Sequence, residues 1–179
     1  MTPYGDDFDE ALETALALLQ ADQDPDDVWD ANDHVNRALA LRPDDADAWL
    51  IKCQVMSALG DDAAALACAE MALQHRPGSA EGHYFRATSL ADLERPAEAL
   101  AALEHAFRLI ETDEDWLLES LYCEKAIVLD ALDRNDEAVA TFEAGLACCP
   151  ESSVLKSGLE PLRRAQMRSE WKVLPGGRS

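Results

Sequence analysis

The sequence predicts an all-α solenoid, a stack of helix-turn-helix repeats, and three observations predict it. The first is a returning stretch: LGDDAAALACAEMALQHRP at 59–77 comes back as LERPAEALAALEHAFRLIE at 93–111 and as LDRNDEAVATFEAGLACCP at 132–150, at spacings of 34 and 39 residues. The second lies upstream, where ALALRP at 38–43 stands 34 residues before ALQHRP at 72–77 and shares its Arg-Pro. A fixed period of this length marks a repeat array and outranks any element-by-element reading. The third is the register of the small residues. Cys53, Ala87 and Ala126 fall in the first helices, Ala65, Ala99 and Ala138 in the second, and Ala72, Ala106 and Gly145 near the second-helix ends. Helices that cross at close range need small side chains at the contact, because a Leu there would push the axes apart.

The elements follow in order. Residues 1–43 read as a degenerate N-terminal repeat with a long acidic connection, ADQDPDD. Residues 46–79 form a repeat whose first helix carries Trp49, Leu50, Cys53, Met56 and Leu59 at helical spacing and stops at Gly60. Asp61 and Asp62 then cap a second helix that runs to about Arg76, where Pro77 prevents continuation. Residues 80–113 repeat this plan. Residues 114–150 repeat it with a longer first helix, because the extra residues around DEDWL fall just before it. Residues 151–170 read as a capping helix over the apolar face of the last repeat, with a kink or break expected at Pro161, and 171–179 as a flexible tail.

The chain resembles a tetratricopeptide repeat protein. That family has Trp, Leu-Gly and Tyr in the first helix and Ala, Phe and a terminal Pro in the second. Here those places hold Trp49, Lys52-Cys53, Met56, Ala65, Ala69 and Pro77, then His83, Arg86-Ala87, Leu90, Ala99, Leu103 and Glu111, then Tyr122, Lys125-Ala126, Leu129, Ala138, Phe142 and Pro150. The small residues are kept over 46–150 and the large ones only in part. The resemblance implies a right-handed α-α superhelix whose first helices line a concave face where ligands bind. Counting in steps of four, the inward positions are Leu50, Gln54, Tyr84, Thr88, Cys123 and Ile127, a candidate groove of apolar and neutral side chains. Asp47, Glu81, Asp92, Glu124 and Asp130 would form its acidic rim. Lys52, Arg86 and Lys125 recur in register away from that face, as residues that neutralise acids between repeats. The Lys, Arg and Asn that clamp a chaperone's terminal carboxylate in some members are missing from the groove positions.

Charge narrows the partners. The 179 residues carry 36 Asp and Glu against 15 Lys and Arg, a formal net charge of -21, so phosphate backbones and anionic membrane surfaces are repelled and neither nucleic acid nor membrane is an expected partner. Residues 151–179 reverse the balance, with Lys156, Arg163, Arg164, Arg168, Lys172 and Arg178 against Glu151, Glu160 and Glu170. The ending SEWKVLPGGRS therefore has the charge and apolar residues to dock against an acidic groove. The N-terminus MTPYGDDFDE is acidic where a secretory leader would be basic and then apolar, and five cysteines without C-x-x-C spacing fit reduced thiols, so a cytoplasmic setting is expected.

No catalytic constellation stands out. His34, His75, His83 and His105 fall on different helices, and Gly60, Gly78 and Gly145 stand alone, without a phosphate loop. DQDPDDVWDAND at 22–33 spaces its aspartates somewhat as a calcium loop does. Asp27, however, stands where the turn needs Gly, and Asp33 where a bidentate Glu is needed. No metal and no cofactor are expected. The predicted function is a non-enzymatic adaptor that binds a protein or peptide segment of basic and apolar character, the alternative being a small acidic secretion chaperone for a dedicated client.

Overall fold

The computed structural model describes residues 3–20, 25–110 and 115–173. Their helices are α1 (Pro3–Gln20), α2 (Pro25–Leu41), α3 (Ala46–Ala58), α4 (Asp62–His75), α5 (Ala80–Asp92), α6 (Pro96–Leu109), α7 (Asp115–Ala131), α8 (Asn135–Cys148) and α9 (Ser153–Val173), with no strand among the described residues. The all-α repeat fold read from the sequence is the fold found.

Local chemistry sets the helix boundaries. The α3, α5 and α9 helices each have their cap two residues after a proline, with Asp45, Ser79 or Ser152 accepting from the backbone N–H three residues on, at 2.9, 2.9 and 3.0 Å. Pro25 and Pro96 open α2 and α6, where a missing N–H costs nothing. The turns from α3 to α4, α5 to α6 and α7 to α8 are the same turn three times. Gly60, Glu94 and Asp133 take φ of 75°, 57° and 58°. The next residue's N–H reaches back to Met56, Leu90 or Leu129, each at 2.9 Å. This is the hydrogen-bond pattern of a left-handed helix cap, and it prefers glycine.

By contacts the chain divides into two compact units, residues 1–109 and 110–179. In the first, α1 packs on α2, α3 on α4 and α5 on α6, and successive pairs meet through α2 with α3 and α4 with α5. Ala15, Val28, Ala31, Val35, Ile51 and Val55 form one buried cluster, and Cys53, Ala65, Cys68 and Ala69 another. The Arg-Pro pairs close each second helix onto its own first helix. Arg42 lies 3.9 Å over the Phe8 ring and Arg76 grips Asp47 at 2.6 and 2.7 Å. Trp49 donates its indole N–H to the Pro43 carbonyl at 2.9 Å, and His83, one period later, bonds to Pro77 in the same way.

In the second unit α9 packs on α8 and α7, burying Leu155 and Leu159 with Ala126, Val139 and Phe142. Two glycines permit the approach. A Cβ at Gly145 would lie 2.8 Å from the Tyr122 Cβ, and one at Gly158 would lie 2.6 and 2.7 Å from Phe142 ring atoms. Of the kink or break expected at Pro161, the break does not occur, since α9 is one helix from Ser153 to Val173. Pro161 cannot donate to Ser157, but both residues are exposed, so water can satisfy that carbonyl while Leu155 and Leu159 hold the buried side. The calcium-loop spacing also fails in part: Asp26, Asp30 and Asp33 lie along α2, on turns of a helix, while Asp22 and Asp24 lie outside the described residues. So does the tail from 174 onward, together with its expected docking.

Candidate functional site

The groove positions lie on α3 and α5 in the first unit and on α7 in the second. On α3, Leu50 is only 2% exposed, so it offers no surface to a ligand. The reason is local, since α3 is packed by α1, α2, α4 and α5, and its inner side is filled. Gln54, Tyr84 and Thr88 are half-buried. Behind them the Cys53 thiol and the Ser89 hydroxyl sit 3.9 Å apart and join α3 to α5. Burial pushes the Cys53 thiol up to about 12, so it remains protonated and unreactive.

The recurrent cations behave differently from one another. Arg86 meets Glu70 of α4 at 3.7 Å, as expected of a residue that neutralises an acid between repeats. Lys52 is held instead by the side-chain oxygens of Asn32 and Asn36 on α2, and burial pulls its pKa down. The expected rim is uneven in the same way. Asp47 is consumed by its bidentate pair with Arg76, Glu81 is half-buried, and Asp92 is exposed at the end of α5. Partial burial and the neighbouring Asp62 carboxylate push the Asp92 carboxyl up.

The second unit contains a true concavity. A hollow of about 760 Å³ opens between the C-terminal half of α7, the start of α8 and the middle of α9. Its apolar surface comes from Ala126, Ile127, Phe142, Pro161, Leu162 and Ala165, and Ile127 is 51% exposed there. Asp130, Asp133 and Asp136 stand along it. Gln166 donates to Asp136 at 2.7 Å. Cys123, one helical turn before Ile127, is half-buried against the α7–α8–α9 core, and burial raises its thiol pKa. Glu124 is half-buried.

The structure thus brings Ile127 and Asp130 together, leaves Gln54, Tyr84 and Thr88 on a separate unit, buries Leu50 and pairs Asp47 with Arg76. Sequence reasoning missed Asp133, Asp136 and the α9 wall. A signal for the acids was present in the repeat register. Where the last repeat has Asp130, Asp133 and Asp136, the two earlier ones have Ser57 and Ala91, Gly60 and Glu94, Ala63 and Ala97. Among the described residues no group of His, Cys, Asp or Glu is gathered to hold a metal ion, and no helix is long and apolar enough to cross a membrane.

No protein-family model matches the chain, and no curated protein matches it. Solved structures do. PilF of Pseudomonas aeruginosa is 16% identical, over 99% of this chain and 79% of that one, with a TM-score of 0.78. MamA is 15% identical over 90% and 84%, with a TM-score of 0.69. The first TPR domain of human RPAP3 is 20% identical over 72% and 97%, with a TM-score of 0.63. Within this chain the helix-pair stack, the caps two residues after proline and the recurring left-handed turns agree with that likeness and lead to one conclusion: this chain has the tetratricopeptide-repeat fold.

Proposed function

We propose that the chain is a non-enzymatic adaptor that captures a segment of a partner protein on the faces of its first helices. Gln54, Tyr84 and Thr88 would serve in the first unit, and Cys123 and Ile127 in the second, with Glu81, Asp92, Glu124 and Asp130 as the acidic surroundings. The observation that carries this reading is the hollow of the second unit, where a half-exposed isoleucine lies beside a carboxylate. An open concavity with an apolar floor is where a soluble repeat protein gains contact energy from a ligand. One similar structure is that of the first TPR of Spaghetti (RPAP3) bound to HSP90 peptide SRMEEVD, 19% identical over 68% of this chain, with a TM-score of 0.61. That peptide is rich in glutamate and aspartate, whereas this chain has a net charge of -21 and acids along its hollow. The partner segment proposed here is therefore of opposite character, basic and apolar.

The test is affinity capture with the wild-type chain and two variants, Ile127→Asp in the second unit and Tyr84→Asp in the first, identified by mass spectrometry and repeated with purified partner. The expected outcome is a partner bound by the wild type and lost, or weakened about tenfold or more, in at least one variant. Identical binding by all three proteins would refute capture on these faces.

A further inference from the structure

The hollow of the second unit is lined by more acid than the fold requires. In register with Asp130, Asp133 and Asp136, the earlier repeats place Ser57, Ala91, Gly60, Glu94, Ala63 and Ala97, so five of the six matching positions are uncharged. The same turns and the same helix contacts form without those carboxylates. Asp133 even stands at a left-handed position, φ 58°, which glycine fills more easily in the second repeat. Among the described residues the side chains of Asp130 and Asp133 meet neither a cation nor a hydrogen-bond donor, and Asp136 meets only the uncharged amide of Gln166. Two guanidinium groups, at the N-cap of α8 and on α9, are paired with other acids, Arg134 with Glu137 and Arg163 with Glu143, each at 2.7 Å.

The apolar part is equally specific in its origin. Gly158 lets α9 settle on the Phe142 ring, and Ile127 and Leu162 both line the hollow. A volume of about 760 Å³ takes a few side chains, far more than a metal ion needs. An apolar floor edged by carboxylates matches a side chain with an aliphatic stem and a charged head, which describes arginine and lysine.

Resting on the adaptor reading above, we infer that this α7–α8–α9 hollow is a receptor for one long cationic side chain of the partner, flanked by apolar residues, and that Asp130 and Asp133 select for it. The stem lies on Ile127 and Leu162 and the cation reaches the two unpartnered carboxylates, whose desolvation is offset only by a charge of opposite sign. This assigns discrimination to two acids that the fold does not need.

The experiment is calorimetric titration of the full chain with a heptapeptide carrying a central arginine between two leucines, and with the same peptide carrying glutamine or glutamate at the centre. The arginine peptide is expected to bind at least tenfold more tightly than the glutamine peptide, and the glutamate peptide not at all, with the arginine advantage shrinking as salt rises. A chain with Asp130→Asn and Asp133→Gly is expected to lose that advantage. The second change supplies the residue which a left-handed turn favours, so the fold is expected to be kept, and a circular dichroism melt no lower than that of the wild type checks it. Equal affinity for arginine and glutamine peptides, abolished by Ile127→Asp, would overturn this inference while leaving the adaptor reading intact. Binding of none of the peptides, together with partner capture insensitive to Ile127→Asp and Tyr84→Asp, would overturn both.

Discussion

At the scale of single residues, the repeated turn sets a conformational demand that the chain meets unevenly. Gly60 has no Cβ to strain, whereas Glu94 and Asp133 hold φ near 57° and 58° with side chains attached. A residue with a Cβ in that region is strained by up to about 1–2 kcal/mol, and glycine recovers part of this against its larger unfolded-state entropy. Glu94→Gly is therefore expected to stabilise the chain by about 0.5–1 kcal/mol, seen as a higher urea midpoint with an unchanged slope. An unchanged or lowered midpoint would mean that some other interaction of Glu94 outweighs the strain. The glycine in LGDD at 59–62 was readable in the sequence as a helix stop. The same conformation at Glu94 and Asp133 was not, because it is imposed by the returning hydrogen bonds and not by the residue.

At the scale of the helix, the ends carry the electrostatics. Asp92 is the last residue of α5, where the aligned peptide dipoles leave partial negative charge, and Asp62 opens the neighbouring α4. Partial burial first, and Asp62 second, push the Asp92 carboxyl up. A carboxyl that binds its proton more tightly in the folded state than in the unfolded state costs stability when ionised, so the cost is present at neutral pH and disappears as pH falls through the carboxylate range. Asp92→Asn is expected to raise the melting midpoint at pH 7 by an amount worth about 0.5 kcal/mol or less, since the group is mostly solvated and screened. The difference from wild type should vanish in acid, and thermal melts across that range check both points. The helices themselves were legible. Caps, prolines and the spacing of Ala65, Ala99 and Ala138, all 0% exposed, are local or periodic signals. The fate of Leu50 and Asp47 was not legible, because it depends on how many neighbours surround α3 and on where Arg76 reaches from the far end of α4. Helical phase gives a direction but no inventory of what lies there. The break expected at Pro161 was misread for a similar reason. The proline's effect on the helix depends on which carbonyl loses a partner, and that one faces water.

At the scale of the whole molecule, stability is shared between neighbours, so the terminal element matters out of proportion to its polar sequence. Leu155 and Leu159 of α9 are 0% and 3% exposed, and α9 covers Phe142, itself 2% exposed. Ending the chain at Pro150 would return these surfaces to water. At about 1.5–3 kcal/mol for each buried leucine, the expected loss is roughly 3–6 kcal/mol, with association of the exposed face at higher concentration. Light scattering and a denaturant titration of the 1–150 fragment measure both. A fragment as stable and as monodisperse as the full chain would show that α9 is an ornament of the fold.

The helix α9 also bears on how such a chain could lengthen. It starts as α3 and α5 start, with its cap two residues after a proline, Ser152 standing to Pro150 as Asp45 stands to Pro43 and Ser79 to Pro77, and with the same backbone bond from the cap N–H to a carbonyl three residues back. It leans on α8 and α7 as α5 leans on α4 and α3. Helix α9 thus begins as a further period would, and Lys156, Glu160, Arg163 and Arg164 are exposed along it. A companion helix added by duplication would need apolar side chains in those places, so the helix that covers Phe142 is also one on which a further repeat could be built.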